Sequence, residues 1–209
     1  MAVAAEIRPE GFARIQPTAL GRDAVAAAAL AWLAGLVGGA GFAPSPARAA
    51  ALLEAGGGTL AGAWLRPAKG GAWLLARDPG TIAAPVEAVA GAGWDGRFRM
   101  TGPGRAGWRV GAVGAAAAGL RGLSDLPSAV LRALPAILDP NGALAAVPAM
   151  DYPSSNACAP FVMTFAPVMT GNTTREISGR PFKRGQPDTM FNDEGCRGTP
   201  AGTETDNRT

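Results

Sequence analysis

The chain has 209 residues with 30 Gly, 18 Pro and only 6% aromatic residues, enough for one folded body but with few large side chains to fill its core. Its 19 basic against 16 acidic residues give +3 and a pI near 9.4, a balance that suits an anionic partner. There is no His at all, and the two cysteines, Cys158 and Cys196, lie far apart, so Ser-His-Asp, Cys-His and HExxH chemistry is excluded and neither a zinc site nor a disulfide framework follows.

Residues 1–22 read as an extended lead-in broken by Pro9 and Pro17. Glu6, Arg8, Glu10 and Arg14 fall where a signal peptide would need its apolar core, so none is expected, and a reducing cytoplasm is the expected compartment. Asp23 then caps a helix over 24–37, with Leu30, Leu33 and Val37 on one stripe and Gly38-Gly39 ending it. The uncharged window 24–42 is mostly Ala and Gly, which argues against a membrane span. Ser45 and Pro46 start a second helix that runs to Ala55 and stops at Gly56-Gly57-Gly58.

Residues 59–66 and 72–77 read as two strands around a turn at 67–71, with Trp64 and Trp73 expected to meet across the hairpin. A turn at Asp78-Pro79-Gly80 and a loose connection over 85–92 lead to Trp94-Asp95-Gly96-Arg97-Phe98-Arg99-Met100. This stretch is expected to be one strand around Gly96, which marks a bulge or a close backbone approach, and 108–113 a fourth strand of the same sheet. Short helices follow over 115–123 and 128–134, the second entered through Ser124 or Asp125 and Pro127. Residues 136–138 and 144–147 flank Asp139-Pro140-Asn141-Gly142 as a hairpin, and Phe161, Met163 and Phe165 alternate as a last strand. The expected class is α+β. A lead-in and helical segment occupies 1–56, a small, mostly antiparallel β-sheet domain with short helices 57–166, and a disordered tail 167–209.

No catalytic constellation or metal site emerges. Gly102-Pro103-Gly104-Arg105-Ala106-Gly107 matches GxGxxG, but an extended segment follows it rather than a helix, so it reads as a turn. Asp95, Asp125 and Asp139 each sit where a turn or a helix start explains them. Between Leu60 and Arg132 nine basic residues face four acidic ones, a local +5. Arg66, Arg77, Arg97, Arg99, Arg105 and Arg109 are therefore the candidate RNA contacts, with Arg97 and Arg99 on an RNA-facing edge and Trp94 and Phe98 anchoring the core.

A succession of short motifs carries a resemblance. It runs from Glu10-Gly11-Phe12-Ala13 to Val37-Gly38-Gly39-Ala40 with Pro44 and Pro46, then Gly57-Gly58-Thr59-Leu60-Ala61-Gly62-Ala63 and Leu74-Leu75-Ala76-Arg77-Asp78-Pro79. Trp94-Asp95-Gly96-Arg97-Phe98, Leu134-Pro135-Ala136 and Ala146-Val147-Pro148 complete it. In order and spacing, residues 10–166 resemble the C-terminal half of alphaproteobacterial tRNA(Ile)-lysidine synthetases. That family joins lysine to the wobble cytidine of tRNA(Ile), using ATP and Mg²⁺ held by an N-terminal PP-loop domain with a Ser-Gly-Gly-x-Asp-Ser loop. No such loop occurs in these 209 residues. The resemblance thus implies a detached C-terminal portion with no catalytic residue and no cofactor of its own. Its implied partners are tRNA and a separate PP-loop ATPase domain, rather than DNA or a membrane. A non-catalytic structural remnant that needs a partner domain is the alternative expectation.

Overall fold

The computed structural model describes residues 4–153 and 161–170. Strands β1 (Ala5–Arg8) and β2 (Phe12–Ile15) form a hairpin closed by the Gly11 N–H donating to Arg8 C=O at 2.9 Å, with Gly11 at φ 79°. The expected lead-in is therefore sheet, and Ala13 and Ile15 lie in the core. After a single turn, α1 (Pro17–Leu20), helices α2 (Ala24–Gly38) and α3 (Pro46–Ala55) follow with the expected caps. Asp23 accepts from the Ala26 N–H at 2.8 Å and Ser45 from the Arg48 N–H at 3.4 Å, while Gly39 and Gly56 close the two helices in the left-handed conformation.

Residues 59–66 are not one strand. They divide into β3 (Gly58–Leu60) and β4 (Ala63–Pro67) around Ala61 and Gly62, both at positive φ as a tight two-residue hairpin requires. With β5 (Trp73–Arg77) they complete an antiparallel sheet of order β1-β2-β5-β4-β3, so strands from both sides of residue 56 share one sheet. One face carries Ala13, Ile15, Ala63, Leu65 and Leu75 and packs on α2 and α3. Trp64 pairs with Ala76 and Trp73 with Pro67, which puts the two tryptophans on opposite faces, and they do not meet.

The remaining strands do not extend that sheet. Strands β6 (Val86–Glu87), β7 (Gly93–Trp94), β8 (Phe98–Met100) and β9 (Arg109–Ala112) are short and belong to two other sheets. Trp94 to Met100 is a hairpin rather than a bulged strand: Asp95 and Gly96 both have positive φ, and Arg97 N–H donates to Trp94 C=O at 3.2 Å. Helix α4 (Ala117–Leu120), flanked by 3-10 turns, and α5 (Ser128–Ala133) precede β10 (Pro135–Leu138) and β11 (Leu144–Ala146). The turn between these last two is held by Asp139, which accepts from the Asn141 and Ala143 N–H groups at 2.9 and 2.8 Å.

The second sheet has the order β11-β10-β9-β6; the third adds β12 (Met163–Phe165) to β8 and β7. Trp94, Phe98 and Met100 anchor a core cluster with Val110 and Ile137. The chain is thus α+β with antiparallel sheets. No helix among the described residues is long and apolar enough to cross a membrane. Of the expected tail, Val168 to Thr170 run beside α2, with Thr170 N–H donating to Gly41 C=O at 2.7 Å, and residues 171–209 lie outside the described residues.

Candidate nucleic-acid interface

Two of the six candidate arginines point inward. Arg97 is 1% exposed, and its guanidinium donates to the carboxylate of Asp95 (Nε at 2.8 Å), to Ala133 C=O at 3.0 Å and to Gly11 C=O at 3.4 Å. Arg77 reaches the same carboxylate through Nε at 2.9 Å and Nη2 at 2.8 Å, and also bonds Gly62 C=O and both oxygens of Thr81. Ala83 N–H supplies a further donor to Asp95 at 2.9 Å. Burial alone would raise the Asp95 carboxyl, but the Arg77 hydrogen bonds, the charge of Arg97 and the Ala83 N–H outweigh it and hold the group below the usual carboxylate range. Burial pushes the Arg97 guanidinium down to about 10, against the opposing charge and hydrogen bond of Asp95. The RNA-facing edge expected at Arg97 is therefore a polar clamp. It ties the first sheet, the β1–β2 turn, the β7–β8 turn and α5 together, and it leaves neither Arg77 nor Arg97 free for a phosphate.

Arg99, Arg105 and Arg109 are exposed, each with a local neighbour. Arg99 donates to Gly91 C=O at 2.9 Å, and Arg105 lies 4.4 Å from the ring centre of Trp108, which stacks on Phe161. Arg109 stands opposite Glu87 across the β6–β9 pair.

Arg66 is placed differently. On β5, Leu74 pairs with Arg14 of β2 on one side and Arg66 of β4 on the other, so the two arginines flank Leu74 on the sheet face turned away from α2 and α3. Together with Lys69 they line a cleft of about 730 Å³, walled by Pro67, Ala68, Ala72 and Pro127, with Asp125 at its rim. Arg66 rests 5.1 Å from the ring centre of Trp64, a cation–π contact that fixes its guanidinium while Nε has no hydrogen-bond partner among the described residues. The side chains of Arg14, Arg66 and Lys69 form no ion pair among the described residues. With Asp125 opposed, the cleft carries +2. An arrangement of this kind, with three cations and one carboxylate, suits an anion.

Arg14, Lys69 and Asp125 were outside the sequence-derived candidates. Arg14 sits in a segment read as lead-in, and only the register with β5 brings it beside Arg66. Asp125 does not cap α5, whose N-cap is Pro127 and has no side-chain bond; Ser124 instead accepts from Leu126 N–H at 3.1 Å. The glycine loop 102–107 is a turn that leads through Trp108 into β9, so it offers no helix N-terminus to a pyrophosphate and does not fit an ATP and Mg²⁺ site. Comparison with known protein families, curated proteins and solved structures finds no match to this chain.

Proposed function

We propose that this chain is a tRNA-binding region of tRNA(Ile)-lysidine synthetase type, without catalysis of its own. It works in the cytoplasm with a separate PP-loop ATPase domain that holds ATP and Mg²⁺. The observation that carries this reading is the cleft where Arg14, Arg66 and Lys69 meet with one carboxylate against them. Concentrated cations that outnumber the carboxylate beside them and form no ion pair among the described residues are what a phosphate backbone requires. The order of the short motifs over 10–166 supports the family.

Filter binding of tRNA across a salt series tests it. Three phosphate contacts at about 0.7 each predict a log–log slope near −2. No binding at low salt, or binding indifferent to salt, rejects the reading.

A second reading, a structural region that docks on a partner domain, is favoured by one observation. The outer face of α2 exposes Val25 (75%) and Trp32 (46%), and Phe42 beyond the helix is also exposed. On that reading the isolated chain is poorly folded or self-associated. A cooperative unfolding transition from a monomer in sedimentation rejects it.

A further inference from the structure

The proposed RNA contact has several basic surfaces to choose from, and the structure separates them by how much of each cation is already committed. Arg77 and Arg97 are spent on Asp95, Arg99 on a carbonyl, and Arg109 is opposed by Glu87. Arg105 packs on an aromatic ring as Arg66 does on Trp64, and what separates the two is that Arg66 shares its sheet face with Arg14. Only around Leu74 do cations from three segments converge without a protein acceptor among the described residues: Arg14 from β2, Arg66 from β4 and Lys69 from the β4–β5 turn.

We infer that the Arg14–Arg66–Lys69 cleft is the site that takes the sugar–phosphate backbone of RNA, and that the outer surface of Arg99 and Arg105 is not. The inference rests on the tRNA-binding reading above and names the place where the phosphates sit.

The geometry favours a chain of phosphates over a single one. Arg14 and Arg66 both pair with Leu74, so their Cα atoms are two strand spacings apart, about 9.5 Å, and both side chains stand on one face of a twisted but continuous sheet. Such a pair grips two neighbouring phosphates, or one from two sides, while Lys69 extends the positive strip past the end of the strand. The floor between the arginines is the buried Leu74, and the walls are Pro67, Ala68, Ala72 and Pro127. An apolar floor excludes water and strengthens each charge-assisted bond above it. The volume of about 730 Å³ also exceeds what one phosphate fills and lies in the range of nucleotide-sized ligands. Trp64 holds the Arg66 guanidinium through a cation–π contact, 5.1 Å from its ring centre, before the ligand arrives. Asp125 lines the same cleft and opposes an anion, which gives the inference a prediction of unusual sign: removing that carboxylate improves binding.

The experiment is tRNA filter binding with the full chain at several salt concentrations. It compares the wild type with Arg14→Gln/Arg66→Gln, Lys69→Gln, Asp125→Asn and Arg99→Gln/Arg105→Gln, each checked for folding by its urea midpoint. Losing both cleft arginines should weaken binding at low salt by about tenfold or more and flatten the salt slope by about 1.4, two contacts of roughly 0.7 each. Lys69→Gln should weaken binding several-fold, Asp125→Asn should tighten it several-fold, and Arg99→Gln/Arg105→Gln should change it less than the cleft pair does. Wild-type binding with an unaltered Arg14→Gln/Arg66→Gln variant overturns this site and leaves the tRNA-binding reading standing. No wild-type binding removes both. If the double variant fails to fold, the other two cleft variants decide, and unchanged affinity in both Lys69→Gln and Asp125→Asn overturns the inference. Competition by polyglutamate that matches polyuridylate charge for charge would transfer the cleft to an acidic protein segment and overturn the RNA assignment.

Discussion

Replacing Asp95 by Asn tests whether the polar clamp organises the fold. The carboxylate is 1% exposed and accepts from both Arg77 and Arg97, at 2.8 and 2.7 Å in the closest contacts, and from Ala83 N–H. Asn keeps the shape but removes the charge and replaces one acceptor oxygen with an NH₂ donor that faces a guanidinium. Two buried cations then have no counter-ion, and breaking a buried pair in this way costs about 3–5 kcal/mol. For a folded unit of this size that lowers the thermal midpoint by roughly 6–20 °C. The corresponding substitution at an exposed pair, Glu6→Gln beside Arg8, should cost far less. Urea unfolding gives both numbers, and an Asp95→Asn loss as small as the Glu6→Gln loss refutes the clamp. The pH dependence has a definite sign. Asp95 is depressed in the folded state, so its stabilisation is fully present above the unfolded value of about 3.9 and is lost as the pH falls through the lower folded value. The stability difference between wild type and variant should therefore be level from about pH 5 to 8 and shrink below about pH 4. A difference that grows on acidification contradicts the assignment.

Gly38→Ala should destabilise by about 1–3 kcal/mol even though Ala is the better helix former, because the added methyl runs into the Ala61 carbonyl and lies 2.8 Å from Ala63 N; a raised urea midpoint would show that α2 and the β3–β4 turn have room to separate. Ala61→Gly should stabilise by about 0.5 kcal/mol, since Ala61 holds φ 51° at a cost that glycine does not carry, and a lower urea midpoint would contradict this. Asp23→Ala should cost about 1 kcal/mol through the lost cap of α2, read as a lower urea midpoint, and an unchanged midpoint would mean that packing alone holds the helix start.

Local features were legible in the sequence because their causes are local. Asp23, Ser45 with Pro46, Gly39 and Gly56 mark helix ends through bonds within a few residues, and Asp139 marks its turn in the same way. Sheet partners were not legible, because the pairing of β2 with β5 joins Ala13 to Leu75 across about sixty residues of chain, and no periodicity encodes a partner that distant. The β3–β4 hairpin was hidden by its own chemistry: Ala61 occupies a left-handed position usually given to Gly or Asn, so an uninterrupted strand was the simpler reading. Asp95-Gly96 is a hairpin signal in plain view, masked because β7 is two residues long and β8 three.

The fate of the arginines follows from strand parity once the register is known. Arg77 shares its face of β5 with Trp73 and Leu75, the side covered by α2 and α3, so its charge needs Asp95 to be buried at all. Arg14 and Arg66 share theirs with Phe12, Trp64, Leu74 and Ala76, and this second face is divided along its length. Phe12, Leu74 and Ala76 pack into the cluster built around Val130, Leu131 and Leu134. That cover ends near Pro127 and Asp125, where α5 begins, and beyond it the face continues as Arg14, Arg66 and Lys69. The cleft exists because a short helix covers half of a sheet face whose other half is basic. Extending apolar cover over that half would bury unpaired cations, so the same charges keep it open.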